Sequence, residues 1–349
     1  MYKPKVVSIY SGCGGIDEGF IKAGFDVVFA SDIWDVACNS LQINHPDTEV
    51  LCSDIQSIDF QSILQKHKTI DCLVGGPPCP PFSKSRFYRT EKSRGIDDES
   101  GEMTLREYFR GVKELNPSVF LFENVHGFVY RPHFEALEFL QKQAKELGYK
   151  ISYGVVNAAN YGVPQTRERF ICVGYKSELM DFDYPKPTHC IPNMKPDNSL
   201  LNWVTCGDVL SDIDFDLPED SKMQAGSKHK DLLKLIPPGD NYLFFTEERG
   251  YADPLFKWRS RYWSFLLKLS PNRPSWTIQA SHSNNMGPFH WKNRFLRITE
   301  IKRIQTFPDD FNLLGSYREQ WRQVGNAVPP QLAYIFANAI KNQYFYLSA

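Results

Sequence analysis

The sequence has 349 residues, of which 42% are hydrophobic and 23% charged, and its formal net charge is −1. These values are ordinary for a soluble globular protein of one large or two modest domains, and the near-neutral charge disfavours a general nucleic-acid binder. The sequence has no signal-peptide pattern and no run of roughly 18 apolar residues that could span a bilayer, so we expect a cytoplasmic protein without membrane contact.

The first half of the chain alternates strand-like and helix-like segments. In chain order, the predicted strands are KVVSIY, DVVFASD, TIDCLVGG and PSVFLFENV. The predicted helices are IDEGFIKAGF, WDVACNSLQINHP, TLREYFRGVKEL and HFEALEFLQKQAKELGY, the last with apolar residues at intervals of three and four. Such alternation predicts an α/β fold, a doubly wound parallel sheet covered by helices on both faces.

The composition changes after about residue 180. Proline, asparagine and aromatic residues become more frequent through roughly residue 290, and the apolar periodicity weakens. This region predicts a second, irregular domain, after which TEIKRIQTF and PPQLAYIFANAIKNQYF return to a helical pattern.

Charge is unevenly distributed in this second half. Residues 255–305 hold ten lysines and arginines and one acid, Glu300, whereas residues 207–220 hold six acids and no base. Such asymmetry in a near-neutral chain predicts one face suited to a polyanion. A solvated basic surface is the alternative. The eight cysteines form no Cys-x-x-Cys pair, so the sequence predicts no metal site.

The first motif is the glycine-rich turn SGCGG at residues 11–15, between the first strand and the first helix. Glycines let a ligand approach the backbone, and the following helix N-terminus favours negative charge. Asp32 ends the second strand, twenty residues after Gly12, where an acid commonly accepts ribose hydroxyls. Asp17 stands in place of the third glycine of a dinucleotide fingerprint, which disfavours NAD and FAD. A tight turn without a ligand is the alternative.

The second motif, GGPPCPPFS at residues 75–83, follows a strand, so Cys79 is expected beyond the carboxyl edge of the sheet. Four prolines would hold the backbone around a nucleophile, although a buried structural cysteine is an equal alternative. The polar residues 80–101 are a candidate lid.

The remaining motifs contain an acid, two arginines and a Gly-Asn turn. Glu123 ends an apolar strand, where burial could raise its pKa enough to hold a proton; a solvated acid or a helix cap is the alternative. Alternation places Gln165, Arg167 and Arg169 on one face of a strand, where they need anions or carbonyl acceptors, or form a structural ladder. QVGNAVPP at residues 323–330 alone predicts only the start of a helix.

Together and in this order, the five motifs resemble the cytosine-5 DNA methyltransferase family across essentially the whole chain. The glycine turn is similar to its cofactor motif, and the other four counterparts are Pro78-Cys79, Glu123-Asn124-Val125, Gln165-x-Arg167-x-Arg169 and Gly325-Asn326. Pro80 replaces a common glutamine and Tyr10 a common phenylalanine, but neither change alters a group that does the chemistry.

The resemblance implies a fold and a domain division. The fold would be a doubly wound, Rossmann-like S-adenosylmethionine-dependent methyltransferase domain formed by residues 1–185 and 300–349. Residues 186–299 would form a small irregular target-recognition domain that binds DNA.

The resemblance also implies the reaction: methyl transfer to carbon 5 of a cytosine flipped out of double-stranded DNA, within a short specific sequence. Cys79 would attack carbon 6 and make carbon 5 nucleophilic. Glu123 would bind or protonate N3, and Arg169, with Arg167, would hold O2. S-adenosylhomocysteine would be the second product.

Two further sets of residues complete the expected site. The expected cofactor residues are Tyr10, Gly12, Gly14, Gly15, Asp32, Ile33, Asp54, Ile55 and Asn326. The expected DNA contacts are Ser83, Lys84, Arg86 and Arg89 in the loop, and Lys257, Arg259, Arg261, Thr277 and Arg294 in the second domain.

Three alternatives stay open at this point: a cytosine in RNA as the substrate, a non-catalytic DNA-binding relative, and an NAD-dependent oxidoreductase. A lone catalytic unit suits a prokaryotic or phage modification enzyme. We expect such an enzyme to be monomeric on DNA, with a cognate restriction endonuclease in the same system.

Overall fold

The computed structural model describes residues 2–78, 99–130, 134–192 and 199–346. Its strands are β1 (Lys5–Ile9), β2 (Asp26–Asp32), β3 (Glu49–Cys52), β4 (Cys72–Gly75), β5 (Val119–Val125), β6 (Tyr149–Asn157), β7 (Gln165–Thr166), β8 (Glu168–Lys176), β9 (His189–Cys190), β10 (Leu201–Asn202) and β11 (Ser275–Trp276). Its α-helices are α1 (Gly15–Lys22), α2 (Asp35–Asn44), α3 (Phe60–His67), α4 (Glu99–Leu115), α5 (Phe134–Glu146), α6 (Cys206–Leu210), α7 (Lys230–Leu235), α8 (Ile298–Gln305), α9 (Tyr317–Asn326) and α10 (Pro330–Tyr344).

Seven strands form the central sheet in the order β3-β2-β1-β4-β5-β8-β6. The five strands from β3 to β5 in this order are parallel, but β8 is antiparallel to both β5 and β6. The prediction of a wholly parallel sheet is therefore wrong at this edge. The chain returns from β6 to β8 without the crossover helix that a parallel neighbour requires.

Helices cover both faces of the sheet, which confirms the predicted doubly wound α/β class. On one face, Ile63 of α3, Tyr108 of α4 and Leu140 of α5 pack on the sheet in one apolar cluster. On the other face, Phe20 of α1 and Phe336 of α10 share a second cluster. A β-carbon on Gly19 would lie 2.5 Å from that of Ala333, so α1 and α10 touch through a glycine. No helix in the described part of the chain is long and apolar enough to cross a membrane.

Residues 186–299 contain little regular structure and contribute to two apolar clusters. One cluster lies wholly within this region and includes Tyr242, Phe245 and Phe289. The other joins Ile278 to Trp321 of α9 and to side chains of α8. The second region is thus attached to α8 and α9 by a shared core, and its division from the sheet domain stays a prediction.

The strand order reverses beside β1, which has β2 on one side and β4 on the other. Open α/β sheets bind ligands in the crevice outside the carboxyl ends of strands at such a point. The turn at residues 10–15 follows β1, Asp32 ends β2, residues 76–78 follow β4, and Glu123 lies near the end of β5. The fold therefore brings four of the predicted segments to one edge.

Candidate active site and DNA-facing surface

A buried ion pair lies at the end of β5. Arg169 Nε is 2.8 Å from Glu123 Oε1, and the two side chains are only 11% and 8% exposed. The antiparallel pairing of β5 with β8 places Arg169 opposite Val125, two residues beyond Glu123. Burial raises the pKa of Glu123, while Arg169 and then Arg167 act in the opposite direction. The arrangement provides a carboxyl group able to hold a proton beside a fixed guanidinium.

The Pro-rich segment after β4 runs alongside this pair. A β-carbon on Gly76 would lie 2.7 Å from Glu123 Oε2, so only glycine leaves room for the carboxylate. The Asn124 side-chain amide donates to the Pro77 carbonyl at 3.4 Å. Gly76-Pro77-Pro78 therefore lies against the Glu123–Arg169 pair. Cys79 and the loop residues Ser83, Lys84, Arg86 and Arg89 lie outside the described residues.

Arg167 lies elsewhere than expected. Its guanidinium is buried and donates to the carbonyl oxygens of Ile278, Gly325 and Ala327 at 2.9–3.0 Å. The break between β7 and β8 falls at Arg167, but Gln165 and Arg167 still share one buried face, since the Arg167 guanidinium donates to the Gln165 side-chain oxygen at 3.5 Å. These bonds tie the start of β8 to α9 and to the segment after β11, and the expected contact of Arg167 with a substrate stays a prediction.

The glycine turn and Asp32 form one unit at the crevice. Gly12 has a φ of 55°, and a β-carbon there would meet no described atom within 4 Å, so its backbone is open to a ligand. Asp32 accepts hydrogen bonds from the backbone N–H of Gly12 at 2.8 Å and of Trp34 at 2.9 Å. Each carboxylate oxygen keeps a further lone pair for another donor.

The other predicted cofactor residues lie around the same edge, with different exposures. Ile33 is 70% exposed, Asp54 and Asn326 are also exposed, and Ile55 is buried in the sheet core. The phenol of Tyr10 donates to the Thr104 carbonyl at 3.0 Å, and burial raises its pKa.

Gly15 brings the Gly-Asn turn against the glycine turn. A β-carbon on Gly15 would lie 2.3 Å from the Val328 carbonyl oxygen. Gly14, at a φ of 95°, precedes α1 and packs against Leu41. The close approach of Gly15 to Val328 brings Asn326, at the end of α9, towards the crevice.

Sequence reasoning missed two neighbours of this crevice, Trp34 and Arg322. Trp34 follows Ile33, and the Arg322 guanidinium lies 4.4 Å from the centroid of its ring. The position of Trp34 just after a predicted strand was a usable signal. No local sequence pattern indicated Arg322, because its contact partner Trp34 lies near the other end of the sequence.

The basic loop, residues 255–263, is an exposed surface of cations and aromatic rings. Lys257, Arg259 and Arg261 are exposed, and no carboxylate of the described residues lies within 4 Å of them. Tyr262 and Trp263 are more than half exposed. The loop is anchored to the buried Tyr242, whose hydroxyl donates to the Arg261 carbonyl at 2.9 Å. A fixed loop with outward cations and rings suits a nucleic-acid strand.

Two other expected DNA contacts are occupied within the protein. The Thr277 hydroxyl donates to the Thr166 carbonyl at 2.8 Å. Arg294 is buried and forms two hydrogen bonds with Glu300, at 2.7 and 2.9 Å. The guanidinium of Arg294 is thus enclosed and neutralised by a buried acid, which disfavours the expected contact with DNA, and that contact stays a prediction.

The acidic residues 207–220 neutralise three of the six remaining basic residues of this region. Asp212 pairs with Arg303, Asp214 and Asp216 pair with Lys292, and Asp220 pairs with Arg297. We call residues 207–220 together with residues 290–303 the charged clasp. The polyanion face predicted from residues 255–305 is thus reduced chiefly to the basic loop.

The chain matches the family model for C-5 cytosine-specific DNA methylase over residues 4–342. It is 37% identical to Type II methyltransferase M.SacI of Streptomyces achromogenes, covering 99% of this chain and 94% of that protein. It is 34% identical to Type II methyltransferase M.NgoFVII of Neisseria gonorrhoeae, covering 94% and 84%. A prophage-encoded Escherichia coli protein, described in its structure as a presumed DNA modification methyltransferase, shares the fold with a TM-score of 0.69 at 23% identity, covering 98% and 99%. The chain therefore belongs to the C-5 cytosine-specific DNA methylase family.

Proposed function

We propose that this protein transfers a methyl group from S-adenosylmethionine to carbon 5 of a cytosine within a short specific sequence of double-stranded DNA. The observation that carries the proposal is the buried Glu123–Arg169 pair beside Gly76-Pro77-Pro78, at the carboxyl edge of β4 and β5. A carboxyl group, a guanidinium and the segment that leads to a cysteine are the groups needed to activate a cytosine ring.

Cys79 is the proposed nucleophile, on the strength of its sequence motif. Its thiolate would form a bond to carbon 6 of cytosine as N3 takes a proton from Glu123, whose burial favours the protonated form. Arg169 would donate to O2 of the ring. Once carbon 5 carries the methyl group that the bound cofactor would supply, loss of the carbon-5 proton, cleavage of the bond between carbon 6 and sulfur, and return of the N3 proton to Glu123 would restore the aromatic ring, the thiolate and the carboxyl group. The cytosine must leave the helix to reach these groups, so base flipping is part of the proposal.

The crevice fits the cofactor that the family implies. Asp32 would accept the ribose hydroxyls, Ile33 offers an exposed apolar surface for the adenine, and the open backbone at Gly12 lets the amino-acid portion approach. Asn326 and Asp54 stand at the rim. Bound there, S-adenosylmethionine supplies an electrophilic methyl group, and the roles of these residues in holding it are part of the proposal.

The biological role we propose is the protection of DNA within a restriction-modification system, with a cognate restriction endonuclease as the partner. The names of the Type II methyltransferase relatives support this role. We propose that the enzyme acts in the cytoplasm, as a monomer on DNA, and that residues 186–299 form its target-recognition domain. The basic loop supports the assignment of DNA to this region. The family match supports DNA, and the RNA alternative gains no support from it.

The test is methyl transfer from labelled S-adenosylmethionine to mixed-sequence duplex DNA, followed by mapping of the modified bases. We expect label at carbon 5 of cytosine in one short recurring sequence. Cys79→Ser should abolish turnover and retain cofactor binding, whereas Cys190→Ser should behave like the wild type. Glu123→Gln should slow transfer by roughly two to four orders of magnitude. Label on transfer RNA alone, or full activity of Cys79→Ser, would contradict the proposal.

A further inference from the structure

Two cysteine side chains lie against the backbone where β2 ends at the crevice. The Cys38 thiol, near the start of α2, donates to the Asp32 carbonyl at 3.4 Å. The Cys52 thiol, at the end of β3, donates to the Ile33 carbonyl at 3.7 Å. The parallel register of β2 and β3 pairs Asp32 with Cys52. The two sulfur atoms therefore approach the same short stretch of backbone, one from α2 and one from β3.

The two thiols also interact with each other. The Cys38 side chain forms a hydrogen bond with that of Cys52. Cys38 is only 3% exposed, whereas Cys52 is exposed. Thiols at hydrogen-bonding distance are close enough for side-chain rotation to bring their sulfur atoms within bonding distance. A reagent in solution can reach Cys52 first, and Cys38 is then its enclosed neighbour.

The backbone between the thiols belongs to the proposed cofactor crevice. The Asp32 carboxylate accepts the backbone N–H groups of Gly12 and Trp34 at 2.8 and 2.9 Å, and its carbonyl accepts that of Ser53 at 3.0 Å. Ile33 offers its exposed side chain at the same edge. A disulfide would remove both thiol donors and draw the sulfur atoms away from the two carbonyls. The placement of Asp32 and Ile33 therefore depends on whether the thiols are free or joined.

We infer that Cys38 and Cys52 are a modification site for a low-molecular-weight disulfide such as oxidised glutathione, and that the resulting protein disulfide weakens the binding of S-adenosylmethionine. The inference rests on the proposed function, because the crevice is the proposed cofactor site. It goes beyond that function, because methyl transfer requires neither thiol.

The modification is a thiol-disulfide exchange in two steps. The Cys52 thiolate attacks one sulfur of oxidised glutathione, which forms a mixed disulfide and releases one glutathione thiolate. The Cys38 thiol then gives its proton to a base in solution and attacks the Cys52 sulfur, which releases the second glutathione thiolate. Two protein thiols are thereby oxidised, one glutathione disulfide is reduced to two thiols, and the two protons of the protein thiols pass to them.

The environment of Cys38 sets the speed of the second step. Burial, and then the nearby Asp32 carboxylate, raise the pKa of Cys38 to about 12. The thiolate is the attacking form, so closure of the disulfide should become faster as the pH rises from about 7 to 9. Exchange at the exposed Cys52 comes first, and the mixed disulfide should therefore accumulate at the lower pH.

The experiment uses the Cys79→Ser protein, which lacks the proposed nucleophile as a competing thiol. The protein is treated with oxidised glutathione, its peptides are mapped by mass spectrometry, and S-adenosylmethionine is titrated before and after treatment. We expect a peptide pair joined through Cys38 and Cys52, and a cofactor Kd raised about five- to tenfold by the loss of two supporting hydrogen bonds. Dithiothreitol should restore both. Because the coupling is reciprocal, saturating S-adenosylmethionine should shift the disulfide equilibrium towards the free thiols by the same factor.

Three further variants of the same protein serve as controls. Cys52→Ser should bind the cofactor equally before and after treatment, and Cys38→Ser should stop at the mixed disulfide on Cys52. Cys190→Ser removes the other described thiol that is not buried, and should still form the disulfide. Cys52→Ser replaces an exposed side chain, so it keeps the test valid if Cys38→Ser does not fold.

Two results would overturn the inference: Cys38 and Cys52 remain unjoined after treatment, or their disulfide forms and leaves the cofactor Kd unchanged. Failure of the proposed function looks different, because the reduced wild-type protein would then not transfer methyl groups to DNA, whether or not the disulfide forms.

Discussion

The charged clasp and the basic loop are both rich in lysine and arginine, yet the fold uses their charge in opposite ways. In the clasp, Lys292, Arg294 and Arg297 form ion pairs with carboxylates. The pair of Arg294 with Glu300 is buried in the interior of the clasp. In the basic loop, the cations point outward beside exposed tryptophan and tyrosine rings. The same composition therefore produces a structural element in one region and a binding surface in the other.

The difference shows where a count of charges along a sequence stops being informative. The acids at residues 207–220 precede the basic segment of the clasp by about eighty residues, and only folding brings the two together. A basic segment predicts a polyanion surface only when no acidic segment folds onto it. We therefore expect mutations in the clasp to change stability and mutations in the basic loop to change DNA binding.

The largest effect should come from Glu300→Ala. Glu300 is fully buried, bonds Arg294 twice, and accepts the backbone N–H of Arg297 at the start of α8 at 2.8 Å. Its removal leaves the Arg294 charge buried without its main partner, which costs about 3–5 kcal/mol. Denaturant unfolding measures the change.

The control for Glu300→Ala is Asp231→Asn, which breaks the exposed pair of Asp231 with Lys234. It should alter the unfolding free energy by less than about 0.5 kcal/mol. A change below about 1 kcal/mol in Glu300→Ala would mean that the clasp is not the structural element that its geometry indicates.

The next largest effect should be on DNA binding, when Lys257, Arg259 and Arg261 are all replaced by glutamine. Each lost phosphate contact lowers the slope of log affinity against log salt by about 0.9, so the slope should fall by up to roughly three. Affinity at low salt should fall about 10- to 100-fold, while the unfolding free energy changes by less than about 0.5 kcal/mol. An unchanged slope would move the DNA-binding surface away from the loop.

The comparison also indicates how much of the molecule the sequence predicts. Four strands and four helices of the first half were predicted because each carries a complete local signal: an apolar run, a periodic face or a glycine at its end. The helix α3 and the strand β6 were not predicted. The strand β3 was missed because it has only four residues, three of them exposed, and α9 was missed because its pattern ends in what read as a turn.

The residues of the candidate site also fall into two groups, those that a local sequence pattern predicts and those that it does not. Glu123 and Asp32 were predicted because a strand end is a local position that the sequence displays. The different placement of Arg167 and the enclosure of Arg294 depend on the contacts with Gly325 and Glu300, and no local pattern encodes these. The contact of Arg322 with Trp34 has the same origin.

The third prediction concerns pH and the clasp residue Asp220. Hydrogen bonds from Arg297 lower the pKa of Asp220 to about 2, against 3.8 for a free side chain. A lowered pKa means that the ionised form stabilises the fold above about pH 4, and that this contribution is lost as the pH falls towards 2. Asp220→Asn should cost about 1–2 kcal/mol at pH 7, after allowance for solvent screening, and progressively less below pH 4.

The basic-loop variant provides the contrast for this pH dependence. Lysine and arginine do not titrate between pH 2 and 7, so its unfolding free energy should follow the wild-type profile. A difference between Asp220→Asn and the wild type that persists at pH 2 would show that the aspartate contributes through its shape and not through its charge.

The smallest effect should come from Lys292→Met, at the rim of the clasp. Lys292 is 34% exposed and its partner Asp216 is 84% exposed, so solvent and salt screen the pair, and its loss should cost less than about 1 kcal/mol. Asp214 loses the same cation but keeps the hydrogen bond from the Trp291 indole at 2.9 Å. It is therefore not left unpaired beside the buried His290 ring, whose pKa burial lowers to about 4. A loss above about 2 kcal/mol would mean that rim and interior act as one coupled network, in which case the Glu300→Ala and Lys292→Met effects would not add in the double variant.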